Sequence, residues 1–132
     1  MKKIALALLL LAAPAFGQSP TQIKQIIPTT TSVVFNWVYN TTDEVNIDAF
    51  VLQRTAFAAT STITSPYSVE QVISQKTARS ITYTIPTGLV AGQTAFFRMI
   101  ARKTGLVDSP ASNVVQIQVL ATPPAPTSLS IQ

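Results

Sequence analysis

Two alternating segments joined by one loop constrain the fold of this chain more than any other feature. Large apolar side chains recur at every second position in residues 95–102 and again in residues 114–119. A period of two indicates β-strands that turn one face towards a core, and the glycine, serine, proline and asparagine of residues 103–113 favour a connecting loop. The residues predicted to face inward on this pair are Phe97, Met99, Ala101, Val115, Ile117 and Val119.

The same alternation predicts three more strands in the preceding part of the chain, which cover residues 32–39, 49–55 and 80–85. Residues 23–27 are predicted to form the first strand, and residues 67–75 a short, more polar edge strand. Turn-forming residues separate them, and no segment after Gln18 has the spacing of an amphipathic helix. Seven strands with apolar inner faces predict an all-β domain, a seven-stranded antiparallel β-sandwich of two sheets.

The first 17 residues predict a secretory signal peptide. Lys2 and Lys3 precede a short apolar run, and Ala15-Phe16-Gly17 supplies small residues for cleavage before Gln18. The run is far shorter than the ~20 residues of a membrane-spanning helix, so we expect no stable membrane anchor after cleavage. We expect a secreted protein, periplasmic or extracellular, of bacterial type.

Cleavage would remove Lys2 and Lys3, so the remaining chain has seven basic residues and five acidic ones. These basic residues do not form the long basic block that is typical of a nucleic-acid-binding surface.

The chain contains neither cysteine nor histidine. Disulfide bonds therefore cannot stabilise it, and the commonest general base and metal ligand are missing. We expect no cofactor and no enzymatic activity. Three neighbouring acids, Asp43, Glu44 and Asp48, leave two alternatives open: oxygen ligands for calcium and an unconventional hydrolase site. The simpler interpretation is that acidic residues favour turns.

Several short motifs occur in a fixed order between residues 20 and 120. The motif residues are Trp37, Ile47, Phe50, Leu52, Leu89, Gly92, Thr94, Phe97-Arg98-Met99, Ala101, Gly105 and Ser109-Pro110-Ala111-Ser112-Asn113-Val114-Val115. In this order and spacing, residues 18–120 resemble a fibronectin type III domain, with the tryptophan on the second strand. The resemblance implies a fibronectin type III or immunoglobulin-like sandwich.

Two positions differ from that family's pattern. Ala95 stands where the family has a corner tyrosine, so a hydrogen bond from the hydroxyl to the backbone is lost, a net cost of about 1 kcal/mol. Arg54 stands where an aromatic residue is usual. In the family the loop before the last strand often mediates adhesion, and the resemblance implies this role for residues 103–113, although the tripeptide Arg-Gly-Asp is absent.

Candidate binding residues lie at the predicted tip of this loop. They are Leu106, Val107 and Asp108. Loops held by a rigid scaffold commonly carry binding residues, so apolar residues at an exposed tip favour a contact with a partner. The alternative is that Leu106 or Val107 folds back over the end of the sandwich.

Further candidates lie on the outward face of the strand before the loop. Alternation sends Phe96, Arg98, Ile100 and Arg102 to this face. If Phe96 and Ile100 are exposed, they form an apolar strip beside two arginines. The alternative is that the arginines, with Lys103, form a solvated strand edge.

Residues 121–132 form a proline-rich tail. Three prolines among residues 121–126 predict an extended spacer. The following Pro126-Thr127-Ser128-Leu129 repeats the pattern of Pro20-Thr21-Gln22-Ile23 before the first strand. One interpretation is a relic of a tandem array. The other is self-association, in which Ser128 and the residues up to Gln132 add as a strand to a neighbouring molecule's sheet.

The sequence therefore predicts a secreted, non-catalytic interaction or adhesion module that binds a protein or glycan through its loops or an outer sheet face. The alternative is a structural subunit of an extracellular or virion assembly, linked by its C-terminal tail strand. A hydrolase with an unconventional site is a third hypothesis. Nucleic acid is not expected as a partner.

Overall fold

The computed structural model describes residues 19–131, so the predicted signal peptide, residues 1–17, lies outside the described residues. All seven predicted strands are present, each within three residues of its predicted bounds. The strands are β1 Gln22–Ile26, β2 Ser32–Asn36, β3 Ala49–Arg54, β4 Ser68–Ile73, β5 Ser80–Thr84, β6 Thr94–Arg102 and β7 Val115–Val119.

The strands form two sheets of unequal size. Five of them make one sheet in the order β1-β7-β6-β3-β4, and β2 and β5 make the other. The prediction of an all-β chain is confirmed. Since β6 and β3 lie in the middle of the large sheet, they have paired strands on both sides.

The first strand departs from the antiparallel prediction. β1 runs parallel to β7, with Ile26 opposite Val119, while every other pair is antiparallel. Parallel neighbours need a long connection, and the five intervening strands provide it. Hydrogen bonds extend this pairing beyond the strand ends: Thr21 N–H donates to Val114 C=O at 2.9 Å, and Leu120 N–H to Ile26 C=O at 2.7 Å. The prediction of a wholly antiparallel sandwich is therefore wrong for this pair.

The core lies between the two sheets and is aromatic at its centre. The ring of Phe97 on β6, which is fully buried, lies 4.9 Å from that of Phe35 on β2 and 5.3 Å from that of Tyr83 on β5. Phe97 therefore links both sheets, and such aromatic pairs add to the stabilisation from burial. The predicted inward residues of β6 and β7 lie in this core or pack against it: Phe97, Met99, Ala101, Val115, Ile117 and Val119.

The turn before β6 is fixed without a corner tyrosine. Ala95 is fully buried and lies opposite Ile117. Gln93 holds the turn instead, since its Oε1 accepts a hydrogen bond from Val90 N–H at 2.9 Å and its C=O accepts one from Val119 N–H at 2.9 Å. The side-chain amide and the backbone carbonyl of Gln93 thus hold this turn in place of the tyrosine hydroxyl that Ala95 lacks.

The connection between β2 and β3 contains a short 3₁₀ helix, Thr41–Asn46, where the sequence predicts only a turn. Asn40 caps it, because its Oδ1 accepts a hydrogen bond from Thr42 N–H at 3.1 Å. Helices of this kind are commonly short connectors. Among residues 19–131, no helix has the length and apolar character needed to span a membrane.

Candidate functional site

The loop between β6 and β7 begins with a tight turn that exposes its apolar residues. Leu106 N–H donates to the C=O of Lys103 at 3.0 Å. Gly105, the third residue of this turn, has a φ of 80°, which type II turns require and which glycine adopts without strain. Beyond the turn, the side chain of Leu106 is 68% exposed and that of Val107 is 96% exposed. Neither side chain folds back into the sandwich.

Asp108 ties the tip of the loop to β6. Its two carboxylate oxygens accept hydrogen bonds from Arg102 Nε at 2.8 Å and from Nη2 at 2.9 Å. This two-point contact fixes direction as well as distance. The hydrogen bond from Arg102 lowers the pKa of Asp108, and the same bond raises the pKa of Arg102. Because both groups are partly exposed, the pair contributes to loop geometry more than to stability.

Asp48 ties the start of the loop to the segment before β3. Its Oδ2 accepts a hydrogen bond from Thr104 N–H at 2.7 Å, and its own N–H donates to Arg102 C=O at 2.7 Å. The backbone hydrogen bond from Thr104 lowers the pKa of Asp48, since it favours the charged carboxylate. A carboxylate therefore holds the loop on each side of Leu106 and Val107, at Thr104 and at position 108.

A third exposed aliphatic residue lies near this loop. Lys103 Nζ donates to the C=O of Val45 at 3.3 Å, and the Val45 side chain at the end of the 3₁₀ helix is exposed. We call Val45, Leu106 and Val107 the apolar loop end. Two of its members come from the predicted loop, and Val45 was not predicted.

Two serines fix the return of the loop towards β7. The hydroxyl of Ser109 accepts a hydrogen bond from Ala101 N–H at 2.8 Å, and that of Ser112 accepts one from Met99 N–H at 2.9 Å. Their own N–H groups donate to the carbonyls of Ala101 and Met99 at 3.0 and 2.8 Å. The hydroxyls thus satisfy the last N–H groups of β6, beyond the point where β7 pairs with it. This gives a physical role to the Ser109–Ser112 motif.

The apolar residues on the outward face of β6 are buried and do not form an exposed strip. Phe96 is 7% exposed and Ile100 is 6% exposed. The strand is central in its sheet, and its arginines flank these residues on the same face: Arg98 Nε donates to Gln53 Oε1 at 2.7 Å, with its guanidinium 4.0 Å from the centre of the Tyr67 ring. Long arginine stems cover apolar neighbours in this way. The expectation that Phe96 and Ile100 offer an exposed strip is therefore wrong.

The three acidic residues after β2 do not share a common site. Glu44 pairs with Arg79, and Asp48 holds Thr104 as described. Asp43 lies in the first turn of the 3₁₀ helix. In the part of the chain that the structure describes, no three histidine, cysteine, aspartate or glutamate residues are grouped so that they could hold a metal ion.

A polar network between the sheets was not predicted. Arg54 Nη2 lies 3.1 Å from Glu70 Oε2, and the hydroxyl of Tyr83 donates to Glu70 Oε1 at 2.8 Å. Arg54 alternates with Phe50 and Leu52 and so points inward on β3. This inward position of Arg54 was the sequence signal from which the network could have been predicted, because an arginine directed at a core requires a carboxylate partner.

No protein-family model, curated protein or solved structure matches this chain.

Proposed function

We propose that this chain is a secreted, non-catalytic interaction module that binds a protein partner through its apolar loop end. The observation that carries the proposal is the exposure of Leu106 and Val107 on a loop tip that Asp48 fixes before them, at Thr104, and Asp108 fixes directly after them. Aliphatic side chains held in water by a fixed scaffold are available for burial against another surface. Little conformational entropy is lost when such a preorganised loop binds.

The chemistry of the apolar loop end favours a protein over a glycan. Its exposed side chains are aliphatic, and the nearby Asp48 and Asp108 are already used within the loop. Aliphatic side chains make no hydrogen bonds to sugar hydroxyls, whereas they fit the buried centre of a protein–protein interface.

We also propose that the sandwich is a variant of the fibronectin type III architecture. The seven strands and the serine contacts to β6 support this proposal. Trp37 packs against the core as expected, although β2 ends one residue before it. The parallel pairing of β1 with β7 is a departure from the wholly antiparallel sandwich. Secretion remains part of the proposal through the signal-like residues 1–17.

A photo-crosslinking amino acid placed at position 107 tests the binding surface. Position 90 is the matched control, because Val90 is also an exposed valine but lies before β6 rather than after it. In producing cells we expect a protein crosslinked from position 107 and not from position 90. With that protein purified, Val107→Asp should weaken binding about tenfold or more, and Val90→Asp should leave it unchanged. Equal crosslinking from both positions, or equal affinities, would contradict the proposal.

A further inference from the structure

A cleft runs along β2, between the two sheets. One part has a volume of about 780 Å³ and lies between β1 and β2, and the other has a volume of about 310 Å³ and extends past Trp37 to Val38. The two parts share Phe35 and Asn36 on β2 as lining residues. The two parts are therefore adjacent, and together they line β2 along its length.

The backbone of β2 is unpaired on the side that faces this cleft. Within residues 19–131, β2 pairs with β5 alone, because β1 pairs with β7 and not with β2. Trp37 N–H donates to Arg79 C=O, and Thr31 C=O accepts from Ile85 N–H, so alternate residues beginning at Thr31 bond to β5. By the alternation of antiparallel pairs, the N–H and C=O groups of Ser32, Val34 and Asn36 point away from β5. Such an edge accepts an added strand.

The walls of the cleft are suited to apolar side chains. Phe35 and Trp37 are half-buried and line it, together with the buried Leu52 and Phe97. Lys24 and Arg98 are the charged residues among those that line the two parts. An inserted strand with aliphatic residues on one face would therefore bury them against aromatic surface.

The tail of the chain has the matching character. Residues 121–131 are exposed and contain no strand. Leu129 is 98% exposed and Ile131 is 99% exposed, and serines at positions 128 and 130 alternate with them. No charged residue occurs after Asp108. The pattern Pro-Thr-x-aliphatic also occurs at residues 20–23, where its last two residues are the first two of β1.

We propose that the tail of a second copy of this chain inserts as a strand beside β2. Leu129 and Ile131 face into the cleft, because residues two apart share one face of a strand, and the serines face solvent. The tail's backbone bonds to the open N–H and C=O groups of Ser32, Val34 and Asn36. A second copy is favoured over the tail's own domain because Pro123, Pro124 and Pro126 stiffen the spacer as extended chain. This inference is independent of the loop-end proposal.

The proposal requires self-association, because each copy has one tail and one cleft. Reciprocal exchange gives a closed dimer, whereas one-way insertion gives longer chains. The first test is molecular mass by light scattering over a range of concentrations, for residues 18–132 and for a truncation after Leu120. We expect the longer chain to associate and the truncation to be monomeric. A chain that stays monomeric, or association that survives truncation, would overturn the proposal.

Disulfide trapping tests the contact itself, and the absence of cysteine from the chain gives it a clean background. Val34 and the tail serines face outward after insertion, so Val34→Cys is mixed with a separate chain carrying Ser128→Cys or Ser130→Cys. Under mild oxidation we expect a mixed disulfide between the two chains. Val72→Cys on β4, an exposed valine away from the cleft, should not form one. Equal trapping at positions 34 and 72 would overturn the proposal.

A peptide of residues 121–132 distinguishes a second copy from the chain's own tail. We expect the fluorescently labelled peptide to bind the truncated chain, and Leu129→Asp with Ile131→Asp in the peptide to abolish binding. Binding of the peptide to the truncated chain, together with a longer chain that stays monomeric, would mean that each tail occupies its own cleft. That result would overturn the proposal of a second copy.

Discussion

Tyr83 joins the two sheets through a charged partner. Its side chain is buried on β5, and its hydroxyl donates to the Glu70 carboxylate on β4 at 2.8 Å. Burial, and then the hydrogen bond to Glu70, raise the pKa of Tyr83, so the hydroxyl keeps its proton at neutral pH and remains a donor. Arg54 holds the other oxygen of Glu70. The network therefore fixes the side of the sandwich opposite the cleft.

We predict that Tyr83→Phe lowers the free energy of unfolding by about 1.5–3 kcal/mol, the usual contribution of a hydrogen bond to a charged group. The matched control is Tyr39→Phe, since Tyr39 is also a core-packing tyrosine and its hydroxyl makes no hydrogen bond to residues 19–131. The control should change stability by less than about 0.5 kcal/mol. Urea denaturation followed by circular dichroism measures both variants. Equal losses would show that the contact with Glu70 does not stabilise the fold.

The partners of single charged residues were only partly predictable. The alternation of β3 directs Arg54 inward and so indicates a carboxylate near it, but Glu70 is 16 residues away on another strand. Alternation gives the face of a residue and not its cross-strand neighbour. The neighbour depends on register, which here includes a shift between Leu52 and Gln53.

The loop between β6 and β7 depends on two carboxylates, and this makes it sensitive to acid. Asp48 and Asp108 have pKa values below their ordinary value of 3.8, so the folded loop favours their charged forms. Their stabilisation is complete above pH 3.8 and is lost as the pH falls through the lowered pKa values. The loop is therefore fixed at neutral pH and loosens only in strong acid.

We predict that the amide resonance of Thr104 shifts on acidification with a midpoint below pH 3.8, because its N–H donates to Asp48. Asp48→Asn should remove this titration while the strands stay folded. Two-dimensional NMR across a pH series measures both proteins. A midpoint at or above 3.8, or an unchanged titration in the variant, would mean that the carboxylate does not hold the loop.

The positions of the strands in the sequence were more predictable than the burial of their outward side chains. Period-two alternation located five of the seven strands because it reflects a property of neighbouring residues. The same rule failed for the outer face of β6, where Phe96 and Ile100 are buried. Strand position in a sheet decides how much of its outer face is covered, and β6 lies between β7 and β3. Alternation within one strand contains no information about that position.

The two proposed surfaces depend on different features of the fold. β1 lies on β7, which leaves β2 with an open edge beside the cleft. The loop after β6 lies at one end of the five-stranded sheet, where Asp48 and Asp108 fix it. The pairing of β1 with β7 was not predictable from the residues, because these strands are separated by almost the whole domain and short strands carry weak register information.

The open edge of β2 depends on the parallel pairing of β1 with β7, which NMR can detect as contacts between backbone protons. The chain truncated after Leu120 is the appropriate sample, since it lacks the tail that we propose to insert. We predict cross-strand contacts of β1 with β7 around the pair Gln25 and Gln118, and rapid hydrogen exchange at the amide of Val34. Contacts between β1 and β2, with a protected Val34 amide, would contradict the account.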